Sequence, residues 1–389
     1  FAVGGFAATF LNMALLGLVL TGLYHFLKAP VNNVSTLAFV LTLGFGSWGI
    51  NVLNLWFSVL GVVLYAALKR EKLSGQVNAM LFSTGIAPLI SEMLFRYPHA
   101  EALGFHWAGL GLAVLVGVCI GFFLPAGLAH SPKVHKGFDL YSAALPIGMT
   151  AFLLQTVLYK APGVALPAAP AGETLQVASA MAANLFCGIV FGLCIVFALL
   201  MGAKPKDYWK MLTEKDQVSS VTAAYGNAVF LLNVGLFGLM ILGYYDLVGG
   251  AFNGITFGII FCMLATCNSG SNPATVWPIL LGYVAASYLF RGVSALTGGQ
   301  FAQAINAQAI LVGLCYANGL SPITAKYGWQ YGFGAAVVHY CLVTTVPSLH
   351  GGFCLYNGGF TAALTCILVV PQLERFARTK LQRLEAKKR

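Results

Sequence analysis

The distribution of apolar residues along the chain predicts a protein that crosses a membrane many times. Apolar runs close to the roughly 20 residues that a spanning helix requires recur throughout the 389 residues. A helix satisfies its own backbone in lipid, so we predict an all-α polytopic fold. The thirteen predicted segments are 5–27, 34–47, 52–68, 76–95, 106–127, 137–159, 176–202, 222–245, 252–267, 274–290, 300–320, 328–346 and 352–371.

Much of this pattern occurs twice. Residues 11–70 match residues 232–291 at a constant shift of 221. Internal duplication of an apolar chain is typical of transporters and channels, whose site lies where the two halves meet. The matched positions include Asn12 with Asn233, Asn32 with Asn253, Asn51 with Asn272, Trp56 with Trp277 and Arg70 with Arg291, and later His135–Ser142 with His350–Asn357.

The duplication divides the chain into four predicted parts. Residues 1–160 form a first membrane repeat, and residues 217–372 form a second one. Residues 161–216 supply an extracellular linker, a central helix and a basic cytoplasmic loop, and 373–389 form a basic cytoplasmic tail. Six segments per repeat plus the central helix start the repeats on opposite sides, so we expect inverted topology.

Composition and charge support this assignment. The chain is 59% hydrophobic and 8% charged, whereas soluble domains carry about 25% charged residues. Its net charge of +10 comes from basic residues in short loops and in the tail. That distribution follows the positive-inside rule and argues against nucleic acid as a partner. We expect the bacterial cytoplasmic (inner) membrane, with the first residue outside, the C-terminus in the cytoplasm and the lipid bilayer as the surroundings.

The residue types that catalysis needs are scarce. The seven histidines and eleven acidic residues show no nucleophile or metal-ligand spacing, and the nine cysteines form no CxxC pair. A phosphate-binding glycine loop followed by lysine is also missing from the sequence. We therefore expect that the protein is not an enzyme and uses no cofactor or metal.

Helix-breaking residues lie inside two matched segments. Thr84, Gly85 and Pro88 correspond to Asn318, Gly319 and Pro322. Proline removes a backbone donor and glycine loosens the helix, which leaves backbone groups that could bind a polar solute. A simple kink at the membrane edge is the alternative.

Two further sets of residues are candidates for solute binding. Asn51 and Asn272 lie in matched turns, each of which is either the buried tip of a re-entrant hairpin or a tight surface turn. Tyr141 and Ser142 match Tyr356 and Asn357. These four residues start membrane segments with free helical amides, or anchor them at the interface.

Two other features concern single segments. His339 lies alone within an apolar run, where an ionisable residue is a functional candidate or a hydrogen-bonded structural histidine. Gly188 and Gly192 form a GxxxG motif in the central helix, which permits close contact with another helix or subunit. A homo-oligomer, dimer or trimer, is expected by analogy with other duplicated transporters.

The motifs carry a family resemblance. Through Asn272-Pro-Ala-Thr-Val-Trp277 and His350-Gly-Gly-Phe353, the chain resembles a bacterial family of multipass proteins that contain a duplicated domain of unknown function. That resemblance implies no activity. A looser similarity to urea transporters, through Leu355-Tyr-Asn-Gly358, implies inverted repeats with paired half-helices and a transport function. The central helix and the extra segments depart from that plan, so the resemblance does not imply the substrate.

The sequence therefore predicts a membrane transporter or channel for a small polar solute, neutral or weakly charged. The solute would bind at the interface of the two inverted repeats. The alternative is a non-transporting membrane subunit or scaffold of a larger complex.

Overall fold

The computed structural model describes residues 5–98, 104–167 and 180–388, and within these ranges the chain is helical with no strand. Most of the predicted linker, including Glu173, and the start of the predicted segment 176–202 lie outside these ranges. The helices are α1 (Gly5–Phe26), α2 (Asn33–Phe45), α3 (Leu55–Lys69), α4 (Val77–Ser83), α5 (Ala87–Phe95), α6 (Trp107–Val134), α7 (Ala144–Gln155), α8 (Ala180–Leu200), α9 (Pro205–Leu212), α10 (Val221–Val248), α11 (Gly254–Leu264), α12 (Pro273–Thr297), α13 (Gln308–Ala317), α14 (Ser321–Tyr327), α15 (Trp329–Val343), α16 (Val346–Leu349), α17 (Asn357–Phe376) and α18 (Lys380–Lys388).

The length and composition of these helices are those of a membrane protein with transmembrane helices. Among the described residues, seven helical stretches are long and apolar enough to cross a bilayer. Three further apolar helices are shorter. The predicted all-α membrane class is confirmed, whereas the count of thirteen segments and the inverted topology stay predictions. The seven long stretches are Ala7–Phe26, Val77–Phe95, Trp107–Val134, Ala180–Leu200, Val221–Val248, Pro273–Thr297 and Asn357–Lys388.

Two of the predicted segments begin their helices seven and eight residues later than predicted. The segment predicted at 137–159 starts its helix at Ala144, because Gly137 has a positive φ of 78° and the residues after it form turns. The segment predicted at 300–320 begins its helix at Gln308 and continues, after an interruption, to Tyr327. Pro322 is tolerated there because it occupies the first turn of α14, where no helical N–H is needed.

α2 and α11 are too short to cross the hydrocarbon core. They contain 13 and 11 residues, about 20 and 16 Å at 1.5 Å per residue, against a core of about 30 Å. Both begin with a capping box, Asn32 with Ser35 and Asn253 with Thr256, at matched positions of the two repeats. Each is followed by an irregular turn that leads into a longer helix.

Most residues of the two turns taken together are buried, which argues against tight surface turns, although Asn51 itself is half-buried. Ser47 and Asn54 are 3% and 1% exposed, and Thr266 and Ser271 are fully buried. Irregular backbone at such depth persists only where its polar groups find partners. The turns therefore belong to the interior of the protein.

An asparagine from the preceding long helix, half-buried in the first repeat and fully buried in the second, holds each turn. Asn12 in α1 donates from Nδ2 to the carbonyls of Gly46 and Ile50, both at 2.9 Å. Asn233 in α10 donates from Nδ2 to the Ser271 carbonyl at 2.8 Å. Because Ile50 and Ser271 are matched positions, the duplication has kept this hydrogen bond along with the residues that make it.

The described chain forms two compact units that do not follow the repeats throughout. Unit 1 comprises residues 1–132, 143–177 and 345–360, and unit 2 comprises 133–142, 178–344 and 361–389. Each unit therefore contains a short segment of the other repeat. We call residues 133–142 and 345–360 the exchanged segments.

The central helix α8 packs on α10, but the GxxxG motif of α8 takes no part in this contact. A Cβ at Gly235 or Gly238 of α10 would lie 2.8 Å or less from atoms of Phe191 or Ile195 in α8. In contrast, nothing described lies within 4 Å of a Cβ placed at Gly188 or Gly192. The close helix contact within this chain thus uses glycines of α10.

Replacing Asn233 by leucine should destabilise the fold, because the Ser271 carbonyl would lose its buried donor. We expect a loss of about 1–3 kcal/mol and a lower unfolding temperature in detergent. The control is Asn227→Leu at an exposed position of the same helix, which should leave the unfolding temperature unchanged. Equal effects of the two variants would contradict the role of Asn233.

Candidate functional site

The predicted helix interruptions are present in both repeats. α4 and α5 are separated by a single 3-10 turn at Thr84–Ile86, and α13 and α14 by a 3-10 turn at Asn318–Leu320. Every residue of both turns is buried. Glycine and proline thus interrupt the two helices at matched places, inside the protein.

The exchanged segments fill these interruptions. In unit 1 the Leu355 N–H donates to the Gly85 carbonyl at 2.9 Å, and in unit 2 the Leu140 N–H donates to the Gly319 carbonyl at 3.1 Å. Leu140 and Leu355 are matched positions. The carbonyls expected to be free for a solute are therefore bound by the protein itself at these two glycines.

The glycines also make room for a tyrosine ring. A Cβ at Gly319 would lie 2.6 Å from Cδ2 of Tyr141, and a Cβ at Gly85 would lie 2.5 Å from Cδ2 of Tyr356. Real side chains do not approach so closely, so only glycine fits at either position. We call each arrangement of broken helix and inserted tyrosine a socket.

The socket of unit 1 is mostly apolar. The Tyr356 ring packs edge-on against Phe45 and Phe82, with ring centroids 4.9 and 6.4 Å apart. Thr84 turns its hydroxyl back to the Leu81 carbonyl at 2.6 Å. These contacts are those of a packed protein core.

The matched socket of unit 2 is polar. Its tyrosine, Tyr141, packs edge-on against Tyr316 at a centroid distance of 4.9 Å and lies beside the side chains of Thr266 and Asn318. Six residues around it replace less polar or apolar counterparts of unit 1. They are Asp139 for Cys354, Cys262 for Leu41, Thr266 for Phe45, Cys315 for Leu81, Tyr316 for Phe82 and Asn318 for Thr84.

Hydrogen bonds fix one side of this polar socket. Asn318 donates from Nδ2 to the Met263 carbonyl at 2.9 Å and to the Thr266 hydroxyl at 3.1 Å. Asp139 accepts the Tyr141 N–H on Oδ1 at 2.8 Å. The Tyr141 hydroxyl faces the Cys262 and Cys315 carbonyls at 3.4 and 3.3 Å.

Two acceptor atoms of the same residues are left over. Asp139 Oδ2 and Asn318 Oδ1 have no hydrogen-bond partner among the described residues. Asp139 is 2% exposed and Asn318 is fully buried. A buried acceptor without a donor costs about 1–3 kcal/mol, so a site with two of them favours a molecule that brings N–H or O–H groups.

The histidine of each exchanged segment has a structural contact. His135 accepts the Asp139 N–H on Nδ1 at 3.3 Å, and its Nε2 lies 2.8 Å from the Ser142 hydroxyl. With Nδ1 as acceptor, Nε2 carries the proton and donates it to Ser142, so His135 is not placed as a base for that hydroxyl. His350 contacts the matched residue Asn357 through its other ring nitrogen, because Nδ1 donates to the Asn357 side-chain oxygen.

Other predicted site residues have partners away from the sockets. Asn51 accepts the N–H groups of Leu53 and Asn54, both at 2.9 Å, which forms a local turn. Asn272 caps the start of α12. His339 lies 2.5 Å from the Tyr283 hydroxyl and is fully buried, as the structural alternative predicts.

Sequence reasoning missed part of the polar socket. Thr266, Cys262, Cys315 and Asp139 belong to no motif in the sequence. Comparing the repeats position by position for changes from apolar to polar would have found all four. Matched positions with the same residue in both repeats reveal the architecture. Matched positions whose residues differ locate the polar socket.

The fold and these sockets define a helical membrane protein built by internal duplication. The chain belongs to the family described as Protein of unknown function (DUF1576), whose model matches residues 1–160 and 200–375. The predicted family resemblance is thereby confirmed. No curated protein and no solved structure matches the chain, so the similarity to urea transporters gains no support.

Replacing Gly319 by alanine should destabilise the protein, because the added Cβ would collide with the Tyr141 ring. We expect the free energy of unfolding to fall by about 1–3 kcal/mol, which is measured as a lower unfolding temperature in detergent. Tyr141→Ala removes the ring. The double variant should therefore lose less stability than the sum of the losses in the two single variants.

The control is Gly111→Ala in α6, where nothing described lies within 4 Å of the new Cβ. It should be neutral or slightly stabilising, since alanine favours helix. Additive effects of Gly319→Ala and Tyr141→Ala would show that residues 133–142 do not contact the break.

Proposed function

We propose that this protein is a transporter or channel for a small polar solute, neutral or weakly charged, which binds at the polar socket of unit 2. One observation carries the proposal. Two buried acceptors, Asp139 Oδ2 and Asn318 Oδ1, lack partners among the described residues. Their matched positions in the other socket hold Cys354 and Thr84, and the ring contacts there are apolar.

The composition of the socket supports a site built from both repeats. Asp139 and Tyr141 belong to the first repeat, whereas Thr266 and Asn318 belong to the second. Interrupted helices that present polar groups to a buried site recur in transporters formed by duplication. In this proposal, the predicted binding of the solute by both repeats is carried out by these four residues.

The atoms of the socket also define the solute that fits best. A carboxylate oxygen and an amide oxygen accept hydrogen bonds, so the solute must donate through N–H or O–H groups. Close packing around the broken helix restricts it to a few heavy atoms.

Solute flux into proteoliposomes tests this proposal. The panel contains small amides, polyols, amines and inorganic anions, and swelling or tracer uptake is followed by stopped flow. The double variant Asp139→Cys/Asn318→Thr installs the residues of unit 1 in unit 2. It should lower the flux of the selected solute at least about tenfold, because its donors would lose their acceptors.

The matched control is Thr84→Val in unit 1. It removes a hydroxyl that bonds only locally, to the Leu81 carbonyl, and flux should remain within about twofold. A bulky residue at Gly85 or Gly319 would not serve as a control that blocks the solute pathway, because its side chain would collide with a tyrosine ring and disturb the fold. Absence of flux for every solute from folded protein would contradict the proposal and favour a non-transporting subunit.

A further inference from the structure

The basic tail of the chain is docked on unit 2. Arg383 of α18 donates from its guanidinium to the Tyr327 carbonyl, at the C-terminal end of α14. A Cβ at the next residue, Gly328, would lie 3.1 Å from Arg383 Nη2 and 3.9 Å from Lys380 Cε. A cation at the carbonyl end of a helix is favourable, so this contact gives α18 a defined place.

Docking of α18 forms a depression lined almost entirely by cations. Its volume is about 220 Å³. The lining residues are Lys215, Lys380, Arg383, Leu384 and Lys387. Lys215 comes from the loop after α9, so two separate parts of unit 2 contribute charge.

These positive charges are not neutralised by neighbouring acids. The ion pairs in the described chain join Arg96 with Glu92 and Lys136 with Glu374. Of the two acids that flank Lys215 in sequence, Glu214 accepts a hydrogen bond from the Tyr225 hydroxyl and Asp216 accepts one from the Gln217 N–H. Within the described residues the four lining cations therefore repel one another, as Lys215 and Arg383 do with Lys380. An anion with several oxygens would relieve that repulsion.

The position of the depression indicates the source of the anion. α17 is an apolar candidate span that ends at Phe376, and α18 begins four residues later. Leu384 in the lining and Leu381 one turn earlier are 43% and 47% exposed. Cations beside exposed apolar side chains, close to the end of a membrane helix, match the arrangement that holds lipid headgroups.

We propose that this cluster of Lys215, Lys380, Arg383 and Lys387 binds the phosphate-bearing headgroup of an anionic phospholipid. The arginine fork can hold phosphate oxygens while the lysines supply point charges. The acyl chains would lie along the apolar end of α17. This site is separate from the polar socket and does not depend on the proposed transport function.

The test is lipid binding to the full chain in detergent, followed by native mass spectrometry. Phosphatidylglycerol and phosphatidylcholine are titrated separately. The variant Lys215→Gln/Lys380→Gln/Lys387→Gln leaves Arg383 and its contact with Tyr327 intact, so the tail should stay docked. We expect phosphatidylglycerol affinity to fall at least about tenfold, because three charges near the headgroup are lost, with phosphatidylcholine binding unchanged.

A matched control removes the same charge from the tail outside the depression, as Arg375→Gln/Arg378→Gln/Lys388→Gln. It should change phosphatidylglycerol binding by less than about threefold, because these exposed residues do not line the depression and exposed charges are screened by salt. Equal losses in both triple variants would overturn a specific site, as would no loss in either. Inorganic phosphate or pyrophosphate that displaces the lipid at micromolar concentration would identify a soluble anion instead and overturn the lipid assignment.

Discussion

The structure depends on how an interrupted helix satisfies its backbone in apolar surroundings. Where α4 and α13 end, carbonyls inside the protein lose their helical partners, and no water is at hand to replace them. The amides of Leu355 and Leu140 supply the missing donors at Gly85 and Gly319. These two hydrogen bonds place the exchanged segments, insert a tyrosine beside each break, and thereby create both sockets.

Duplication has preserved the geometry of the sockets while their chemistry has diverged. The matched glycine, leucine and tyrosine make the same contacts in each unit. Around them, phenylalanine and leucine of unit 1 give way to threonine, tyrosine and cysteine in unit 2. The polar version leaves Asp139 and Asn318 with unused acceptors, a cost that stability alone does not explain.

The sequence was informative where a local rule applies. Gly85 and Gly319 located the breaks, because glycine and proline disturb a helix wherever they occur, and the repeat register located Asn12 and Asn233. Prediction from the sequence failed where the contacting residue is distant along the chain. No local pattern shows that Tyr141 lies against Gly319, 178 positions later.

The exchange of residues 133–142 and 345–360 has a consequence for the origin of the molecule. A chain with one repeat could fill its own break only by borrowing the segment of a second copy, as in a domain-swapped dimer. Fusion of two copies makes this exchange of segments intramolecular, so each segment is present at a high effective concentration near the break that it fills. Once both partners are held in one chain, a change on one side is no longer copied to the other. One socket can then remain a structural joint while its twin acquires a different chemistry.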